Sequence, residues 1–322
     1  MPATRKSRPL IAILGFVLLV LFLGALLSPL LFFGVQALIR TSPDSWLAQG
    51  LADKEFPSFF NRACLIALVI GLFPLLKSLK MKWGEITGSV RLSSGWKDLV
   101  TGFGLAVLLL AGMAALFIWA GVTKLKPDAD GWAVGMPLLS GFTVAIMEEF
   151  IFRGAVLSVL CRSLGLKAGL WWTTLIFAAV HFLKPPADGV FPDESITWLS
   201  GFAVIPYLFQ GFGRWENFIG EFLMLAAVGW ALGKARLTTN GLWASIGLHA
   251  GWVAGMKYFS SLTLKTKAFG RGDFDPWMVE NTCRAIVSPV VGIVPILFVL
   301  LTGVLTLWVC RRSRSPKDQP LS

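Results

Sequence analysis

The chain has 322 residues, of which 55% are apolar and only 15% charged. Its mean hydropathy is +0.71. A soluble domain carries about 25% charged residues, so this composition excludes disorder, a coiled coil and an ordinary soluble enzyme. The net charge of +11 does not point to nucleic acid. No basic stripe with interleaved aromatics lies on a soluble segment, and Lys and Arg commonly mark the inner flanks of membrane helices. The four cysteines, Cys64, Cys161, Cys283 and Cys310, are scattered and show neither zinc-ligand spacing nor a disulfide framework.

A helix needs about 20 mostly apolar residues to cross the hydrocarbon core. The pattern predicts an all-α, polytopic integral membrane protein with eight spans: Leu10–Ile39, Phe59–Leu79, Leu99–Val122, Val134–Arg162, Ala168–Leu183, Asn217–Leu237, Asn240–Phe259 and Ala285–Cys310. The first follows a basic start of Arg5, Lys6 and Arg8. It is too long for a signal-peptide core and reads as an uncleaved helix. Ile196 to Gly213 is also uncharged. It carries Pro206, Gln210 and several glycines, and either spans or re-enters.

Loop charge sets the orientation. Lys77, Lys80, Lys82, Arg91 and Lys97 fall on one side, as do Arg162 and Lys167, then Lys234 and Arg236, then Arg311, Arg312 and Arg314. The opposite loops hold Asp44, Asp53 and Glu55, then Asp128 and Asp130, then Asp188, Asp193 and Glu194. This bias predicts both termini in the cytoplasm, in a bacterial inner membrane. One loop dissents, with Lys257, Lys265, Lys267 and Arg271 against Asp273, Asp275 and Glu280. The expected division is residues 1–133 as N-terminal membrane helices, 134–259 as a membrane core, and 260–322 as an outer loop, last helix and basic tail.

Ionisable residues inside a membrane are costly, and each is a functional candidate. The fourth span contains Glu148, Glu149 and Arg153; the fifth ends in Phe177-x-x-x-His181; the seventh holds His249. Both histidines of the chain are therefore in predicted spans. Glu149 and Arg153, four apart, stack on one helix face and can neutralise each other. Glu148 sits about 100° round the helix with no partner on its own helix. Such a carboxylate suits general acid–base work. Phe177, four residues before His181, is expected to pack and to brace the imidazole.

These three motifs, in this order, resemble those of the CPBP family, the CAAX protease and bacteriocin-processing intramembrane endopeptidases. The resemblance covers roughly Val134 to Phe259. It implies hydrolysis of a peptide bond in or beside the bilayer, in a protein or peptide substrate at the membrane. It further implies Glu148 as the catalytic glutamate, His181 helping to activate water, His249 stabilising the oxyanion, and Glu149 and Arg153 as supports. The sequence departs from the CAAX-processing branch at Val253, where that branch has an Asn. Ser245, one turn before His249, is the candidate substitute donor.

The same residues admit other readings. One is a zinc-dependent protease with His181, His249 and Glu148 as ligands, although H-E-x-x-H spacing is absent. Another is a non-catalytic transporter or immunity factor, although no internal repeat is seen. The metal-free glutamate mechanism, with no cofactor, is the expectation. By position in the spans, Glu148 and His249 lie near mid-membrane and His181 toward the outer side.

Overall fold

The computed structural model describes residues 8–88, 92–183, 186, 189–213, 215–266 and 289–312. The expected start of the last span at Ala285 lies outside them, as do Arg91, Asp188, Lys267, Arg271, Asp273, Asp275, Glu280 and Arg314. The protein is helical almost throughout. Among the described residues, five helices are long and apolar enough to cross a membrane. The chain forms two compact units, one of Met1–Met81 with Val180–Arg214 and one of Lys82–Ala179 with Trp215–Ser322.

In the first unit, α1 (Arg8–Thr41) packs along α3 (Phe56–Ser78), with the short α2 (Trp46–Leu51) between them in sequence. Their ends next to α2 are joined by aromatic edges: the Phe32 ring meets those of Phe56 and Phe59, each at 5.6 Å. Further on in the chain, Ile196 to Gly213 does not span. It forms α9 (Ser200–Leu208) and α10 (Gln210–Gly213). Nine helical residues rise only about 14 Å, half of the hydrocarbon thickness. Ile196, Val204 and Leu208 bury themselves against Ala25 and Phe32 instead. Gly201 makes this approach possible, because a Cβ there would stand 2.0 Å from the Ala25 carbonyl oxygen.

The second unit holds α4 (Trp83–Thr87), α5 (Leu92–Trp119), α6 (Gly135–Glu149), α7 (Leu157–Leu164), α8 (Leu166–Val180), α11 (Trp215–Thr239), α12 (Trp243–Leu262) and α13 (Pro289–Arg312). A small antiparallel ribbon, absent from the sequence expectation, pairs β1 (Thr123–Leu125) with β2 (Thr263–Lys265). It ties the chain leaving α5 to the chain leaving α12. The expected fourth span is one continuous rod, but α6 passes into α7 through a wide π turn over Phe150–Val156. Such turns recur at functional sites. Nothing in the local residue pattern signals it.

The centre of this unit is α12, which is buried on all sides from Ala244 to Gly255 except at Val253. It can be so because Gly247, Gly251 and Gly255 form a small-residue stripe against α5. A Cβ on Gly251 would meet the Ala106 Cβ at 2.6 Å and the Phe103 carbonyl oxygen at 2.8 Å. Close backbone approach of this kind is the usual driver of helix association in lipid. Gly251→Val is therefore expected to reduce the folded yield and lower the melting temperature in micelles. Gly104→Val, at a position on α5 with nothing within 4 Å, is the matched control and should leave both unchanged.

The basic flank also needs one correction. The loop charges put Arg236 on the inner flank, but it lies within α11 and is buried. Its guanidinium donates to the carbonyl oxygens of Glu85 (3.0 Å) and Ile86 (3.4 Å). Ser158 Oγ donates to the same Glu85 carbonyl at 2.8 Å. These bonds satisfy the open end of α4 and hold Ile86 under the π turn, where Gly154 leaves room for it.

Candidate active site

Glu149 is the hub of the second unit's polar cluster. It is the last residue of α6, and its side chain is fully buried. Its Oε1 accepts from Arg153 Nη1 at 2.9 Å and lies 2.8 Å from His249 Nδ1. The Glu149–Arg153 contact follows from the i, i+4 spacing. The second contact crosses from α6 to α12 and links residues a hundred positions apart.

Arg153 is fully buried as well. Beyond Glu149, its Nη2 donates to the Gly229 carbonyl of α11 at 3.3 Å. Its guanidinium carbon stands 4.3 Å from the centre of the Phe177 ring, a cation–π contact. Phe177 is buried, with its ring edge-on to Phe152 (5.1 Å) and to His249 (6.4 Å). The helix α8 ends at Val180, and His181 is the first residue of the following turn. His181 is half-buried there and falls in the first unit.

Glu148 takes the opposite environment from Glu149. Its side chain is 21% exposed. Its Oε2 lies 3.9 Å from His249 Nε2, too long for a direct hydrogen bond but close enough for one water to touch both. His249 therefore stands between two carboxylates, Nδ1 to the buried Glu149 and Nε2 to Glu148, whose side chain is partly exposed although the Oε2 facing the ring is buried. When Nδ1 donates to Glu149, the ring orientation is fixed and Nε2 is presented toward Glu148. A carboxylate that orients an imidazole through its far nitrogen is a recurring device in acid–base sites.

Ser245 is fully buried one turn before His249. Its hydroxyl lies 3.0 Å from the Leu242 carbonyl oxygen and also beside the Glu149 carboxylate. Val253, where the CAAX branch has an Asn, is half-buried on the other side of His249. Two members of this cluster carried no mark in the sequence reading, namely the Gly229 carbonyl and the ring of Phe152. A main-chain acceptor on a separate helix leaves no trace in local spacing. Among the described residues, no group of three His, Cys, Asp or Glu side chains is placed to hold a metal ion.

These features define a polytopic helical membrane protein with acid–base groups buried among its helices. Residues 130–255 match the family described as type II CAAX prenyl endopeptidase, Rce1-like. That is a family of intramembrane proteases, consistent with the CPBP resemblance of the three motifs. The match takes in Glu148, Glu149, Arg153, Phe177, His181, Ser245 and His249. No curated protein matches the chain, and no solved structure does.

Proposed function

We propose that this protein is an intramembrane endopeptidase in which Glu148, without a metal, activates the water that attacks a peptide carbonyl. The observation that carries the reading is the position of His249: Nδ1 is 2.8 Å from fully buried Glu149 and Nε2 is 3.9 Å from Oε2 of the partly exposed Glu148. A water held at Glu148 passes its proton to the carboxylate as its oxygen bonds to the scissile carbon. With both ring nitrogens protonated, His249 Nε2–H donates to the oxyanion. Glu149 holds the ring in place by accepting from Nδ1–H. Glu148 then returns the proton to the amide nitrogen as the C–N bond breaks. Preorganised donors of this kind are worth roughly 10²–10³ in rate. The family resemblance gives His181 a share in water activation, so His181→Ala should also reduce turnover.

The substrate in this proposal is a membrane-associated or membrane-delivered peptide or protein. The membrane is a bacterial inner membrane, with both termini inside by loop charge. The mechanism is tested by metal. Protein purified in detergent is expected to hold no stoichiometric zinc and to keep its rate in a strong chelator. Chelation removes a catalytic metal and with it turnover. One equivalent of zinc, with activity lost on chelation and restored by zinc alone, would overturn the metal-free reading and assign His249 to the metal.

A further inference from the structure

The helix α5 fixes the depth of the β1–β2 ribbon. Its apolar stretch Gly95–Trp119 has 25 residues and rises about 37 Å. A bilayer measures about 30 Å across its hydrocarbon and about 40–45 Å with its headgroups. Tryptophans stand near both ends of the stretch, Trp96 at 52% exposed and Trp119 at 85%. Tryptophan collects at both membrane–water interfaces, so these two rings mark the two boundaries of the hydrocarbon. The ribbon begins four residues after Trp119, at Thr123. It therefore lies in the headgroup layer, on the face that loop charge assigns to the outside.

In the ribbon, Lys124 stands opposite Leu264, and the Lys126 amide donates to the Leu262 carbonyl, which carries the pairing on past Leu125. Alternation puts Lys124, Lys126 and Leu264 on one face, with the two lysines about 6.6 Å apart along the strand. Lys124 and Leu264 are exposed, whereas Thr123 and Thr263 of the other face are buried. Lys126 is half-buried, and its Nζ is held on the Ser260 carbonyl at 3.4 Å. An ammonium has three donors, and Ser260 takes one. Lys265 lies on the partner strand and belongs to the loop that breaks the positive-inside pattern, so topology does not account for cations here. The acidic residues that follow Lys126 are Asp128 and Asp130, and Asp130 turns its Oδ1 to the Trp132 amide. The fixed anion of a headgroup layer is the lipid phosphodiester. Its two free oxygens fit between two ammonium groups on flexible stems.

We propose that the β1–β2 ribbon is a binding site for an anionic phospholipid, in which Lys124 and Lys126 hold the headgroup phosphate and Leu264 meets the lipid below it. The ribbon ties the chain leaving α5 to the chain leaving α12, so a lipid bound there braces the two helices at one end. The inference is independent of the endopeptidase reading.

The test is the melting temperature of the full-length protein in neutral-detergent micelles, with phosphatidylglycerol, phosphatidylcholine or inorganic phosphate added. A ligand that binds only the folded state raises the melting temperature. Phosphatidylglycerol should raise it by about 4 °C. Phosphatidylcholine, whose choline offsets the phosphate, and inorganic phosphate, which has no acyl chain, should raise it by less than about a quarter of that. Lys124→Gln combined with Lys126→Gln should remove the gain, and Lys124→Arg with Lys126→Arg should keep it. Lys124→Gln alone, at an exposed side chain, should halve it, which covers the case of a poorly folding double variant. Arg311→Gln with Arg312→Gln removes the same charge at the end of α13 and should leave the gain intact. No gain from phosphatidylglycerol, or an equal gain from phosphatidylcholine or inorganic phosphate, overturns the proposal. So does a gain that survives the glutamine changes at the ribbon, or one lost equally through the Arg311 and Arg312 changes.

Discussion

Glu148→Gln is expected to lower peptide hydrolysis by about 10³-fold while leaving the protein folded. General acid–base groups contribute typically 10²–10⁴-fold, and Gln keeps the shape while losing the basic oxygen. Glu148 is partly exposed, and its contact to His249 is long at 3.9 Å. The substitution therefore removes little packing, and the melting temperature in micelles should move by no more than a degree or two. The contrast is Glu149→Gln. Glu149 is fully buried and bonded to both Arg153 and His249, so its loss should lower stability and activity together. Initial rates on a fluorogenic peptide, with thermal unfolding of the same preparations, separate the two cases. A Glu148→Gln enzyme within tenfold of the starting rate would remove Glu148 from the chemistry.

The sequence carries the helices well because the bilayer sets their length. The expected span Phe59–Leu79 is the helix Phe56–Ser78, and Asn217–Leu237 falls within Trp215–Thr239. The Glu149–Arg153 contact is equally legible, since it is formed within one helix. What escapes is the register between helices. Nothing in the spacing around His249 says that its Nδ1 meets Glu149 while its Nε2 meets Glu148, because that depends on how α12 is rotated against α6. The stripe Gly247, Gly251, Gly255 is the available signal: it marks the face of α12 that approaches α5 most closely. The π turn over Phe150–Val156 and the burial of Arg236 under α4 arise from tertiary contacts and leave no local pattern.

Arg153→Ala is expected to cost about 3–5 kcal/mol of stability, the usual penalty for stranding one member of a buried ion pair. Both side chains of the pair are fully buried. The guanidinium also bonds the Gly229 carbonyl and lies over the Phe177 ring, so three helices lose a common anchor. Arg153→Lys should recover only part of the loss. A single ammonium cannot reproduce the planar fork that serves Glu149, Gly229 and the ring at once. Combining Arg153→Met with Glu149→Gln should be less destabilising than Arg153→Met alone, because the second change removes the stranded charge. Activity should remain low in the double variant, since the imidazole has lost its orienting carboxylate. Folded yield and melting temperature of the single and double variants, compared as a double-mutant cycle, measure the coupling. An Arg153→Ala protein with normal yield and melting temperature but no turnover would contradict the anchoring role and place Arg153 in the reaction itself.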